Sequence, residues 1–320
     1  MTSALLLLTY AMAASLAGPW LLKDAKWPTR APRLGILAWQ SLSTSVVTAV
    51  ALAASALTLG LTHVSADVAS VADLCATTLQ HLYETPAGSV GSFVGAFAFV
   101  AGLARLVYVY VRLATMRRRE KVRFLRVLDL VAHRDGATGA LVIDHSAPYA
   151  FCLSGLAPRV VVTSALMAQL SDAQLAAVLA HESAHLRQHH HLVQFVSRVL
   201  SSAFGGVAPW LHTAQQQTGY LIELTADDAA ARAVGDQPLR EALACLTEAP
   251  VGVAAALAAS AMSVDDRVVR LQSGARRLSP LTTALVTTGL VAVVLVPIAL
   301  VAVPVLPSAW HDLCLVAEQR

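Results

Sequence analysis

Four stretches of this chain are long and apolar enough to belong in a bilayer, at about Ser3 to Leu22, Leu34 to Thr62, Val90 to Val111 and Leu281 to Leu306. A helix needs about 20 residues to cross a hydrocarbon core, and each stretch supplies them. Composition agrees: 56% apolar residues, 13% charged residues and a mean hydropathy of +0.62 exceed what a soluble globular surface tolerates. The first stretch begins Met1, Thr2, Ser3 and lacks the basic amino end of a signal peptide, and Pro19 and Trp20 fall where a membrane interface would lie. It therefore reads as a retained span. A net charge of +3 gives no reason to expect a direct nucleic-acid partner. Cys75, Cys152, Cys245 and Cys314 are scattered and form no CxxC pair, which implies neither a disulfide framework nor a cysteine metal knuckle.

Lysine and arginine near span ends stay on the cytoplasmic side, so their distribution orients the chain. Lys23, Lys26, Arg30 and Arg33 follow the first span, whereas the connection from about Thr62 to Ser89 has Asp67, Asp73 and Glu84 and no basic residue. A dense run, Arg112, Arg117, Arg118, Arg119, Lys121, Arg123 and Arg126, follows the third span, and Arg276 and Arg277 precede the fourth. All three flanks predict one arrangement. Residues 1–112 hold three spans, 113–280 form a cytoplasmic unit, 281–306 are the fourth span and 307–320 a short extracytoplasmic tail, with both termini outside. The basic run reads as a juxtamembrane anchor to membrane lipids. Cys75 and Cys314 would both lie outside, and the sequence leaves their pairing open. Cys152 and Cys245 would be reduced thiols.

Within the cytoplasmic unit, Leu141 to Ile143 and Val160 to Val162 read as strands. Ser171 and Gln174 form a capping box that starts a helix at about Asp172, and a second helix covers about Leu221 to Val234, closed by Gly235. A further apolar stretch, Leu192 to Leu211, contains Gln194, Arg198, Gly205, Gly206 and Pro209, so it reads as a buried or membrane-grazing helix pair. An Ala-rich run from Val251 to Met262 is too short to span and reads as a core helix.

The chemistry concentrates in His181-Glu182-Ser183-Ala184-His185, an H-E-x-x-H sequence on the capped helix. Four-residue spacing brings both imidazoles to one face, one turn apart, where they can share a tetrahedral zinc ion. Glu182 projects beside the open coordination position and is suited to take a proton from a water there. Glu223 on the second helix is the expected third ligand. Asp227, one turn on, is placed to accept the ring N–H of a ligating histidine, in preference to Asp228. A His, His, Glu set around one ion leaves a position free, as a catalytic site requires.

These residues carry a resemblance. Ala150-Phe151-Cys152-Leu153, the Val160 to Val162 strand, LAAVLAHESAHL from Leu175 to Leu186 and ELTADDA from Glu223 to Ala229 resemble the BlaR/MecR-type membrane metallopeptidases. The span pattern of three before and one after is also similar. The resemblance implies an α-helical membrane protein carrying an α+β gluzincin-like zinc peptidase domain, with substrate pairing along an edge strand near Ala150 and Phe151. It also implies a cytoplasmic protein substrate, a DNA-binding repressor, whose loss switches on stress or antibiotic-resistance genes. The antibiotic receptors carry a large penicillin-binding domain after the last span, where this chain has Pro307 to Arg320, so direct covalent sensing of a β-lactam is not expected. Ser183 stands where members often have an aliphatic residue.

Other polar residues read more plainly. His189, His190 and His191 look like a solvated cluster ending a helix, and His133 and His145 have no spaced partners. Asp266, Arg267 and Arg270 form a charged patch expected to make surface ion pairs, with contact between Arg267 and the active site, as a similar arginine makes in related peptidases, as the alternative. Two further classes compete with a regulatory peptidase: a membrane quality-control peptidase of the HtpX kind, and a non-enzymatic sensor retaining the metal. Glu182 argues against the sensor, because a structural site has no use for a base. An intramembrane protease is disfavoured by Arg187, Gln188 and the histidines beside the motif.

Overall fold

The computed structural model describes residues 2–59, 86–155, 158–247, 264–273 and 278–302. Most of the outer connection, the Ala-rich run from Val251 to Met262, the tail from Pro307, Cys75 and Cys314 lie outside the described residues. In chain order the elements are α1 (Thr2–Lys23), α2 (Trp27–Arg30), α3 (Pro32–Leu59), α4 (Pro86–Val131), β1 (His133–Arg134), β2 (Leu141–Ile143), β3 (Ala150–Leu153) and β4 (Arg159–Thr163). Then come α5 (Ser164–Gln169), α6 (Asp172–Arg187), α7 (His190–Phe204), α8 (Trp210–Val234), α9 (Asp236–Thr247), α10 (Val264–Ser273) and α11 (Pro280–Ala302).

The chain forms two compact units, one of residues Met1–Asp24, Gln40–Val109 and Leu281–Arg320, the other of Ala25–Trp39 and Tyr110–Pro280. Helices long and apolar enough to cross a membrane cover Ser3–Lys23, Pro32–Thr58, Val90–Val131 and Pro280–Val301. Their outward faces carry Leu5, Met12, Leu16, Phe93, Phe97 and Leu285, all exposed. Such a surface is tolerable in lipid and costly in water. The third of these helices runs past the expected end at Val111 and through the basic run to Val131 without a break. Nothing in that run stops a helix, since it holds neither proline nor glycine and places Met116, Leu125 and Leu128 among the charges.

A polar knot holds the first unit. Pro297 has no N–H to give to the carbonyl one turn before it, which is Val293. That oxygen instead accepts from Ser45 Oγ at 2.6 Å and Tyr10 Oη at 2.9 Å, while the two hydroxyls lie 2.7 Å apart. Inside a bilayer such a freed carbonyl has to be satisfied by neighbouring helices.

The second unit is built on a four-stranded sheet ordered β1-β2-β4-β3. β1 with β2 and β3 with β4 pair antiparallel, whereas β2 with β4 is parallel. Among the described residues β3 is therefore an edge, with Phe151 opposite Val161 and Cys152 opposite Val160. Val161, Val162 and Thr163 of β4 are fully buried, as β-branched residues inside a sheet should be. Thr163 caps α5 by accepting from the Leu166 N–H. Ser171 and Gln174 form the reciprocal capping box that starts α6.

Two apolar clusters fix α6. Val142, Val162, Leu166, Leu175 and Val178 pack with Ala242 of α9, and Ala177 packs with Ala230, Leu239, Leu243 and Leu271. The Leu192 to Leu211 stretch divides between α7 and the start of α8, turning at Gly205 to Pro209. α8 starts at Trp210, about three turns before the position read from periodicity. Its core-facing Leu221, Ile222 and Leu224 are inaccessible, and cutting any one to Ala costs about 2–5 kcal/mol.

Candidate metal centre

α6 and α8 pack side by side and bring their polar residues to one point. His181 Nε2 and His185 Nε2 lie 3.1 Å apart, as one helical turn dictates. Glu223 places Oε2 at 3.5 Å from His181 Nε2 and Oε1 at 3.7 Å from His185 Nε2. These three side chains form a group whose donor atoms all lie within 4.8 Å of one another. Donors around a tetrahedral zinc, each about 2.0–2.1 Å from the ion, sit roughly 3.3 Å apart, so the observed spacing fits. Charge fits as well. Glu182, Glu223 and Asp227 converge on His181 and Arg267, and a divalent ion held by neutral imidazoles would supply the positive charge that these carboxylates otherwise draw from His181.

Both imidazoles are also held from behind. His181 Nδ1 is 3.0 Å from Asp227 Oδ1, a close contact whose angle is too oblique for an aligned hydrogen bond. Asp227 is fully buried and accepts two hydrogen bonds from Arg267, Nε to Oδ2 at 2.8 Å and Nη2 to Oδ1 at 2.6 Å. Arg267 Nη1 also approaches Glu223 Oε2 at 3.8 Å. The expectation of a surface ion pair for Arg267 is corrected here: the residue is 5% exposed and lines the cleft. Asp228 turns away and pairs with Arg270 at 2.6 Å.

His185 is backed by a histidine whose place among three adjacent polar histidines predicts a solvated position, and that expectation is corrected. His190 Nδ1 lies 3.0 Å from His185 Nδ1, and His190 is 4% exposed. The reason is a local one: His189 adopts the left-handed conformation, φ 52°, and breaks the helix so that α7 starts back towards α6. His189 stays exposed, and the carbonyl of His191 accepts from Arg117 Nη1 at 3.3 Å. His133 is exposed on β1, and His145 Nδ1 accepts from the Ala147 N–H.

Electrostatics follow from burial and these contacts. Burial opposes a charge on His181, but Asp227 and Glu223 outweigh it and push its pKa up to about 10. Burial, reinforced by His181, pushes His185 down to about 4. Glu223 is held down at about 2, because His181, His185 and Arg267 overcome the desolvation of its carboxylate, and Asp227 is held low by Arg267 and His181 in the same way. Glu182 moves in the other direction. Burial raises it, with Glu223 adding to the effect. A carboxylate raised by burial holds a transferred proton better than a solvated one.

Glu182 faces a cleft of about 600 Å³ that also contains His181, His185, Glu223 and Arg267. Ala150, Phe151 and Cys152 of the edge strand line the same cleft. Phe124 of α4 meets Phe151 edge to face at 5.3 Å, which fixes the ring beside the strand. Burial, with the Glu182 carboxylate beside it, pushes the Cys152 thiol up to about 12.

No curated protein and no solved structure matches the chain. A family model does match, over residues 121–229, about a third of the sequence, which take in the sheet, α5, α6, α7 and most of α8. It does not name the BlaR/MecR-type enzymes that the motifs resemble. Residues 121–229, which carry His181, His185 and Glu223, match the model of Peptidase family M48, and that likeness points to a metallopeptidase domain.

Proposed function

We propose that this chain is a membrane-anchored, zinc-dependent endopeptidase in which His181, His185 and Glu223 hold one zinc ion and Glu182 is the general base. The observation that carries this reading is the spacing of 3.1, 3.5 and 3.7 Å among the three donor groups, with the half-buried Glu182 carboxylate on the same helix facing the same cleft. When bound, zinc would polarise a peptide carbonyl and acidify a water at its open position. Glu182 takes a proton from the attacking water and later delivers it to the leaving amine, a transfer that its raised pKa favours. Asp227 and His190 keep the two imidazoles turned towards the donor group, and Arg267 keeps Asp227 ionised and in place. Among the described residues β3 has an unpaired edge, and it lines the cleft, suited to align an extended peptide backbone.

The lysine and arginine distribution supports a cytoplasmic catalytic unit between the third and fourth spans, with both termini outside. The substrate reading is a cytoplasmic protein, a DNA-binding repressor in a stress or antibiotic response, supported by the resemblance of the motifs. The match to Peptidase family M48 is equally compatible with a membrane quality-control peptidase of the HtpX kind. A survey of new protein N-termini in host cells carrying either wild type or Glu182→Gln, under cell-wall and membrane stress, separates the two. New ends in one DNA-binding protein are the expected result, and ends spread over damaged membrane proteins would replace the repressor by quality control.

A further inference from the structure

The cleft around the donor group is chemically two-sided. Val178, one turn before His181 on α6, packs with Ala242 and Leu246 of α9, and Leu239 and Leu243 of α9 line the same cleft, which gives one end an aliphatic wall. Towards the His185 end the wall changes to Arg117 of α4, Gln194 and Arg198 of α7, and Gln215 and Gln216 of α8. Among the described residues the acids lining the cleft are Glu182 and Glu223, and they lie between the two ends. At the polar end two guanidinium groups repel one another: Arg117 feels the charge of Arg198, and the acid acting on it is Glu120 of its own helix. Arg117 is fixed by the His191 carbonyl and by the Phe195 ring 4.7 Å away, so it cannot swing clear. Arg198 is exposed and Arg117 half-buried, and their mutual repulsion is relieved when an anion enters between them.

Building on the peptidase reading, we propose that the cleft selects peptides carrying an acidic side chain on one side of the scissile bond, read by Arg117 and Arg198, and an aliphatic side chain on the other, received against the wall that Val178 and Leu246 form. A carboxylate between two arginines gains charge-assisted hydrogen bonds, and the flanking glutamines add neutral donors. The aliphatic wall gains by excluding water from a branched side chain. Together the two ends set the register of the chain across Glu182.

The test uses the full-length zinc-loaded protein in nanodiscs and a library of internally quenched peptides, amidated at the C-terminus so that side-chain carboxylates are the only anions. At the discriminating position, Glu is expected to give about tenfold higher kcat/KM than Lys. Arg198 is exposed, so Arg198→Glu leaves the fold intact, and it should invert that preference. Leu246→Ser should lower kcat/KM for peptides with Leu on the other side by about tenfold, with little change for Ser in its place. A wild-type enzyme that cleaves without charge preference, or an Arg198→Glu enzyme with unaltered preference, overturns the inference and leaves the peptidase reading standing. So does an Arg198→Glu enzyme that loses only its affinity for anionic lipid. A protein that cleaves none of the library contradicts the peptidase reading and this inference with it.

Discussion

Arg267 grips Asp227 through two hydrogen bonds, at 2.8 and 2.6 Å, with Asp227 fully buried and Arg267 5% exposed. The pair links α10 to α8 directly behind His181. Removing the arginine leaves a buried carboxylate without its counter-ion, which costs about 3–5 kcal/mol. Arg267→Ala should therefore lower the thermal midpoint sharply, and Asp227→Asn combined with Arg267→Met should recover much of the loss. Equal midpoints for wild type and Arg267→Ala, in detergent with zinc present, would rule out this role.

His190 turns His185 through a nitrogen pair 3.0 Å apart. A partner behind a ligating histidine typically changes metal affinity by about 10–100-fold. His190→Ala should weaken zinc binding by that order in a chelator competition, and His190→Asn, which keeps a hydrogen-bonding amide, should restore part of it. Unchanged affinity in His190→Ala would make the contact incidental.

The Cys152 thiol, pushed up to about 12 by burial and Glu182, stays protonated at ordinary pH. At pH 8 about one molecule in ten thousand is thiolate, so alkylation by iodoacetamide should run roughly a thousandfold slower than for a free cysteine. Mass spectrometry of tryptic peptides measures the rate. Fast labelling of Cys152 would contradict its placement against Glu182.

The pH dependence of the metal-free protein follows from Glu223. Its folded pKa, about 2, lies below the ordinary 4.5, so its contribution to stability is fully present above pH 4.5 and is lost as pH falls towards 2. Thermal midpoints of the chelated protein should fall across that window, and Glu223→Gln should flatten the slope. An identical slope in the variant would show that other groups set it.

The parts of this site legible in the sequence are those governed by local periodicity. His181 and His185 share a helix face because four residues make about one turn, and Glu223 and Asp227 repeat that spacing on α8. The Ser171 and Gln174 cap was equally readable, because both partners lie within the first turn. What periodicity does not carry is return geometry. His190 is buried because one left-handed residue, His189, reverses the chain, and in sequence it is one of three adjacent polar histidines. Arg267 arrives from 40 residues beyond Asp227, and no pattern on its own helix announces that partner. Residues 210–220 hide their helix behind three glutamines, a glycine and a proline cap, although Leu211, Ala214 and Thr218 already trace its buried stripe. The sheet order is likewise non-local, since β4 inserts between β2 and β3.

Zinc content and peptide cleavage, measured together in the purified wild type, Glu182→Gln and His185→Ala, decide whether these residues form a catalytic zinc centre. The site geometry predicts one zinc per chain in wild type and Glu182→Gln, with cleavage reduced by about 10²–10⁴-fold in the latter. His185→Ala should lose both metal and activity. Wild-type zinc content in His185→Ala, or undiminished cleavage by Glu182→Gln, would contradict the assignment of ligand and base.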